Sequence, residues 1–264
     1  MEPVFIVSCG RSGSMMLARV LNRIPQCAAF HEPPPYLAHE NYRLWKNLIG
    51  AQEAHEILRI QRDPLLERVR SENRVYIESS HYLAFFIPYL QERYHPKFIH
   101  LTRDGRGFVT SGMGRRRWYF LPRLLRRLQI AIEETFHFHM SRHSLQEYHR
   151  LWPPRAARTK VEKLAWLWSE YNLSIKRMLT ECNTISIHVK LEDFQDSARD
   201  TITVITDYIG VDGRDVLDDM VAICHSRPNV AVKKRFPPPS EWSRETVRQY
   251  DRWAAEASAI FGYA

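Results

Sequence analysis

Val4-Phe5-Ile6-Val7-Ser8-Cys9-Gly10-Arg11-Ser12-Gly13-Ser14-Met15-Met16-Leu17 is the stretch on which the fold turns. Val4–Ser8 is a short β-branched and aromatic run bounded by turn residues, the pattern of a buried strand. From Ser14 onward, apolar residues recur at Met16, Leu17, Val20, Leu21 and Ile24, which is the spacing of one helix face. Strand, glycine-punctuated loop and helix in direct succession is the order a phosphate cradle requires. Glycines let the backbone turn and approach an anion, and the free amides of the first helical turn point at it. A plain strand-to-helix turn is the alternative reading of the glycines. The residue after Gly13 bears on the choice: a Walker A loop places Lys and then Ser/Thr there to hold the β/γ-phosphates and magnesium. This chain has Ser14-Met15 instead, with its basic residue, Arg11, ahead of the Ser-Gly pair. A magnesium-dependent ATP kinase is disfavoured.

Further strands are predicted at 74–78, 97–102 and 184–190, from β-branched runs bounded by turn signals. Helical spacing marks 82–94, 105–113, 160–179 and 197–209, with a last helix from Arg244 to Ile260. Strands alternating with helices imply an α/β fold: a P-loop-like, three-layer arrangement with a central parallel sheet flanked by helices. The chain's 264 residues suit a single domain spanning 1–264. Residues 114–159 carry Arg115-Arg116-Arg117, Arg123 and Arg126-Arg127 and fit no strand, so they are read as a helical insertion. The proline-rich and basic stretch 227–242 is read as an ordered loop.

The net charge of +8 favours anionic partners, without choosing among nucleic acid, an acidic surface and a phosphorylated small molecule. Cys9, Cys27, Cys182 and Cys224 have no metal-ligand spacing, so no metal site is expected and the thiols read as reduced. The N-terminus lacks a basic region followed by a long apolar one, and no stretch approaches a membrane span; the expectation is a cytoplasmic protein.

Gly10-Arg11-Ser12-Gly13-Ser14 resembles the 5′-phosphosulfate loop of the sulfotransferases that use 3′-phosphoadenosine 5′-phosphosulfate (PAPS), above all the carbohydrate, protein-tyrosine and bacterial branches. A second segment, Thr102-Arg103-Asp104-Gly105-Arg106-Gly107-Phe108-Val109-Thr110-Ser111, is similar to the family's 3′-phosphate motif, in which an Arg at a strand end and a Ser eight residues later hold that phosphate. The resemblance assigns Gly10, Arg11, Ser12, Gly13, Ser14 and Met15 to the 5′ end of the cofactor and Arg103 and Ser111 to the 3′ end. Arg115, four residues beyond Ser111, resembles a third 3′-phosphate ligand of the protein-tyrosine branch. Lys233, Lys234 and Arg235, with Trp242 downstream, resemble a segment that closes over the nucleotide; a solvated basic run is the other reading. Trp168–Asn172 and Lys190–Phe194 match family segments that are read as structural. Helical geometry agrees with the second assignment, because Ser111 two turns into a helix and Arg103 just before its start can reach one anion near the helix N-terminus.

For sulfuryl transfer the protein must position the reactants, remove the acceptor proton and neutralise the leaving group. Arg11 is the first candidate for the leaving group. Glu32, 21 residues after Arg11, resembles the catalytic glutamate of the protein-tyrosine branch and is modestly favoured as base. His81, 22 residues before Arg103, resembles the catalytic histidine of the cytosolic branch. A loop carboxylate and a helix-capping histidine are the structural readings of these two, and His31 is placed to orient Glu32. One departure stands out: many relatives carry Lys where this chain has Ser79. The resemblance implies that Arg11→Ala abolishes turnover and that Ser79→Lys is tolerated. The expected partner is a small-molecule, carbohydrate or lipid acceptor, not nucleic acid, with the acceptor pocket built from loops such as 31–62 and 114–159. A P-loop nucleotide kinase and a non-catalytic polyanion or nucleic-acid binder remain the alternatives, since the basic content alone also suits them.

Overall fold

A computed structural model describes residues 2–113, 154–226 and 236–263. Five strands form one parallel sheet: β1 (Val4–Val7), β2 (Cys27–His31), β3 (Val75–Ser79), β4 (Lys97–Thr102) and β5 (Ile185–Lys190), in the order β2-β3-β1-β4-β5. Because successive side chains on a strand point to opposite faces, β1 divides its residues between two cores. Phe5 and Val7 join Tyr76 and Phe98 on one face, while Val4 and Ile6 join Val75, Ile77, Ile99 and Leu101 on the other. Helices cover both faces, which is why these strands read as continuous apolar runs rather than alternating ones. The three-layer α/β fold expected from the sequence is the fold observed.

The helices are α1 (Ser14–Leu21), α2 (Ala38–Trp45), α3 (Ala51–Gln61), α4 (Asp63–Ser71), α5 (Ile87–Tyr94), α6 (Gly105–Met113), α7 (Lys160–Glu181), α8 (Asp193–Asp196), α9 (Ala198–Ile209), α10 (Leu217–His225) and α11 (Arg244–Ile260). Two of them set the place of the site. Helix α1, which follows β1, packs Leu17, Val20 and Leu21 onto the Ile6 face together with α9 and Met220 of α10. Helix α6, which follows β4, packs Phe108 and Val109 onto the Phe5 face with α7 and α11. Neighbouring strands β1 and β4 therefore send their chains to opposite sides, opening a crevice at their C-terminal ends. In open parallel sheets this switch point is where ligands bind.

Several expectations need correction. Strand β2 was not anticipated, nor was α10. The segment 31–62 is not a loop: it carries α2 and α3, and α4 follows at once. The predicted helix at 82–94 begins as a 3-10 turn, His81–Phe86, and becomes α-helical at Ile87, where Pro88 fits the first turn because its missing N–H would find no partner there anyway. In the insertion expected at 114–159, residues 154–159 are not helical, and 114–153 lie outside the described residues, as do 227–235. Among the described residues, no helix is long and apolar enough to cross a membrane.

Candidate active site

The loop after β1 is bent by left-handed residues at Gly10 (φ 77), Arg11 (φ 56) and Gly13 (φ 86). Gly13 is needed twice over, because a Cβ there would stand 2.4 Å from Leu191 Cδ1. Polar contacts within the loop hold the turn: the Gly10 amide donates to Ser8 Oγ at 3.2 Å, and Ser12 Oγ donates to the Gly10 carbonyl at 3.1 Å. Gly13 caps α1 without a side chain, and the first turn carries no acidic residue. The positive end of α1 thus faces the crevice with no carboxylate of its own turn against it.

At the end of β4, Asp104 does not pair with Arg103. Its carboxylate accepts from the Arg106 amide at 3.1 Å and the Gly107 amide at 2.9 Å, capping α6. Asp104 therefore occupies two of the N-terminal amides of α6, at Arg106 and Gly107. The Asp104 amide in turn donates to Glu192 Oε1 at 3.1 Å, and Trp168 Nε1 donates to the Arg103 carbonyl at 2.9 Å. Arg103 lies across Gly107, where an added Cβ would come 3.1 Å from Nε, and its guanidinium reaches back to donate to the Arg11 carbonyl at 3.3 Å.

Arg11 crosses in the other direction. Its Nε donates to Ser111 Oγ at 2.7 Å, and a second guanidinium nitrogen also contacts that hydroxyl. The two cradles expected to be separate share an edge. Loop, strand end and helix bring Arg11, Arg103 and Ser111 into one half-buried cluster across the switch-point crevice. Among the described residues, no carboxylate lies within ion-pairing distance of Arg103. An anion at this cluster would be drawn by both guanidinium charges, the more strongly the less water reaches them.

Glu32 and His81, weighed as rival bases, form a pair. His31 stands beside Ser79 in the β2–β3 register, so Glu32 and His81 leave adjacent strand ends. His81 Nδ1 and Glu32 Oε1 are 2.8 Å apart, and His31 Nε2 is 3.8 Å from the same oxygen. Glu32 is buried, sits in the left-handed region at φ 47, and its amide donates to the Ser79 carbonyl at 3.0 Å. The His81 ring lies against Gly10, at 3.4 Å from where a Cβ would stand. The pair is therefore in contact with the phosphate-type loop. His81 does not cap the 3-10 turn it opens; Ser80 does, accepting from the Tyr82 amide.

Ser79 is fully buried and donates to the Ser14 carbonyl at 3.1 Å. The expectation that lysine is tolerated there does not fit this setting, since lysine loses that hydrogen bond and brings an ammonium group into a site closed to water. Sequence reasoning also missed Arg62 and Glu78, a fully buried ion pair beneath Glu32, with Arg62 Nε 2.8 Å from Glu78 Oε2. Burial pulls the Arg62 guanidinium down, but Glu78 outweighs it and holds it above its ordinary range. Burial and Glu78 together push the Tyr76 hydroxyl well above its own. Arg115, Lys233, Lys234 and Arg235 lie outside the described residues.

Compared with models of known protein families, the sequence matches none, and compared with curated proteins it also matches none.

Proposed function

We propose that the chain is a sulfotransferase that moves a sulfuryl group from PAPS to an acceptor hydroxyl or amine. The observation that carries this reading is the meeting of Arg11, Arg103 and Ser111 at the β1–β4 switch point, with the Glu32–His81 pair against the same loop. A doubly phosphorylated nucleotide suits two arginines in one cluster, next to a helix N-terminus with no carboxylate in its first turn. The residues that would hold it are the amides from Gly10 to Met15 at the 5′ end and Arg103 and Ser111 at the 3′ end, with Arg11 spanning the two. When bound, the donor supplies an activated sulfuryl group and a phosphate leaving group.

The remaining chemistry belongs to the chain. His81 is the more exposed partner of its pair, with 18% of its side chain accessible against 5% for Glu32. Glu32 therefore orients the ring and fixes the proton on Nδ1, leaving Nε2 to take the proton from the acceptor. This reverses the modest preference for Glu32 as base. Arg11 and the loop amides meet the charge that develops on the departing phosphate oxygen. The kinase alternative needs a strand-end carboxylate for magnesium, but Asp104 is committed to capping α6 and Glu32 to His81.

A thermal-shift titration with adenosine 3′,5′-bisphosphate, ATP and AMP tests the proposal, because ligand binding to the folded state raises the melting temperature by mass action. Stabilisation by the bisphosphate well beyond that by ATP and AMP is expected. Equal shifts from AMP and the bisphosphate would remove the 3′-phosphate site, and the largest shift from ATP would restore the kinase reading.

A further inference from the structure

We propose that Arg62 and Glu78 are positioning residues for the Glu32–His81 pair, fixing the turn after β2 so that the Glu32 carboxylate meets His81 Nδ1. The chemical purpose of that pair rests on the sulfotransferase reading; the positioning itself rests on geometry alone.

Arg62 sits at the junction of α3 and α4 with its side chain fully buried. Its guanidinium donates to Glu78 through Nε at 2.8 Å and through a terminal nitrogen at 3.0 Å. The same nitrogen reaches the carbonyls of Pro35 at 3.0 Å and Pro33 at 3.5 Å, while the other donates to the Gln61 carbonyl at 3.2 Å. Tyr76 adds a hydrogen bond to Glu78 at 2.7 Å. Pro33-Pro34-Pro35 follows Glu32 directly, and prolines have no amide with which to join a sheet or turn. Their carbonyls need an outside donor, and Arg62 is that donor. On the other side, the Glu32 amide is tied to Ser79, the neighbour of Glu78. The Glu32 turn is thus strung between two anchors on β3.

Burial of the charges makes the case stronger. A buried ion pair is seldom the most stable way to fill a core, and apolar residues of similar volume do as well or better. Its forked donor geometry does something apolar residues cannot: it binds a carboxylate and three carbonyls at once. Glu32, a residue with a side chain held at positive φ, is the part of the chain that needs such holding.

The test uses the full chain carrying ¹⁵N-labelled histidine and reads the His81 imidazole by NMR. In the unmodified protein a hydrogen-bonded Nδ1–H signal from His81 is expected. The double variant Arg62→Met/Glu78→Leu replaces the pair with apolar side chains and is expected to fold, yet to lose that signal. Arg62→Lys keeps the charge and lacks the fork, and is expected to weaken the signal while the protein stays folded by circular dichroism. Persistence of the full Nδ1–H signal in both variants overturns the positioning role, as does its absence from the unmodified protein. The thermal shift with adenosine 3′,5′-bisphosphate is recorded on the same samples. Signal loss in the variants with no bisphosphate shift in any sample upholds the positioning role while the sulfotransferase reading fails. Where turnover can be followed, a drop on the order of 10- to 100-fold with an unchanged bisphosphate shift is the expected accompaniment.

Discussion

Replacing Gly13 by alanine puts one methyl group where the loop has no room and no tolerance for it. The residue's φ of 86 lies in the left-handed region, which costs a residue with a Cβ about 1–2 kcal/mol. The added Cβ falls 2.4 Å from Leu191 Cδ1, an overlap that the leucine or the loop must relieve by moving. The atom met is the tip of a half-buried leucine side chain that can turn aside, so relief costs at most about 1 kcal/mol. The two effects are independent in origin, so Gly13→Ala is expected to lose roughly 1–3 kcal/mol of stability. Urea unfolding measures this directly, as a fall in the transition midpoint at constant slope. The partner variant Leu191→Ala separates the contributions, because it removes the atoms in collision and leaves the backbone cost in place. At a half-buried position its own cost should fall below the 2–5 kcal/mol or so of a fully buried leucine. The double variant should then be less unstable than the sum of the singles by up to about 1 kcal/mol. Additive singles would refute the steric half of the reasoning. A loss below about 1 kcal/mol for Gly13→Ala would refute all of it.

Arg103→Ala should bring the thermal shift of adenosine 3′,5′-bisphosphate down to that of AMP at little cost in stability; an unchanged shift removes Arg103 from the 3′ cradle. Asp104→Ala deprives α6 of its cap and should cost about 0.5–2 kcal/mol in urea unfolding, while retention of full stability would show that the cap is dispensable. Burial holds the His100 pKa down at about 3, against 6.5 for the exposed side chain; the hydrogen bond to Asn172 opposes this, and nearby His188 and Lys176 add to it. The unfolded chain therefore takes up the proton first as pH falls. Stability that is fully present above pH 6.5 is lost progressively toward pH 3, at up to roughly 1.4 kcal/mol per pH unit. His188, also lowered by burial and by Lys190, contributes in the same direction. Urea midpoints measured across this range should fall less steeply for His100→Gln, and parallel slopes would exclude His100 as a source.

What the sequence conceals has physical reasons. Strands β1, β3 and β4 were legible because both faces are covered or nearly so, giving apolar runs between turn signals, and the more exposed edge strand β5 because Ile185, Ile187 and Val189 alternate with polar residues. Strand β2 reads Cys27-Ala28-Ala29-Phe30-His31, with no β-branched residue, and its strand state comes from pairing with β3 rather than from local preference. Helices α2 and α3 follow three prolines and bury few residues each, so their apolar stripes are thin. The first cradle was visible because its glycines and Arg11 are consecutive. The contact between Arg11 and Ser111 was not, since spacing along the chain says nothing about which way a long side chain turns at a switch point. Glu32 and His81 could each be singled out from flanking residues, but only the β2–β3 register makes them partners. Arg62 was missed for a simpler reason, as a charged residue between two helices is expected at the surface.

The Glu32–His81 pair is carried by β2 and β3, while Arg11, Arg103 and Ser111 follow β1 and β4, and the two groups meet where His81 rests on Gly10 and Ser79 bonds to Ser14. That seam makes the molecule modular. On the sulfotransferase reading proposed above, varying the exposed positions of α2 and α3 while keeping the buried Leu44, Ala54 and Leu58 should change acceptor preference and leave the donor grip intact, so a directed-evolution library would do best to randomise those positions alone.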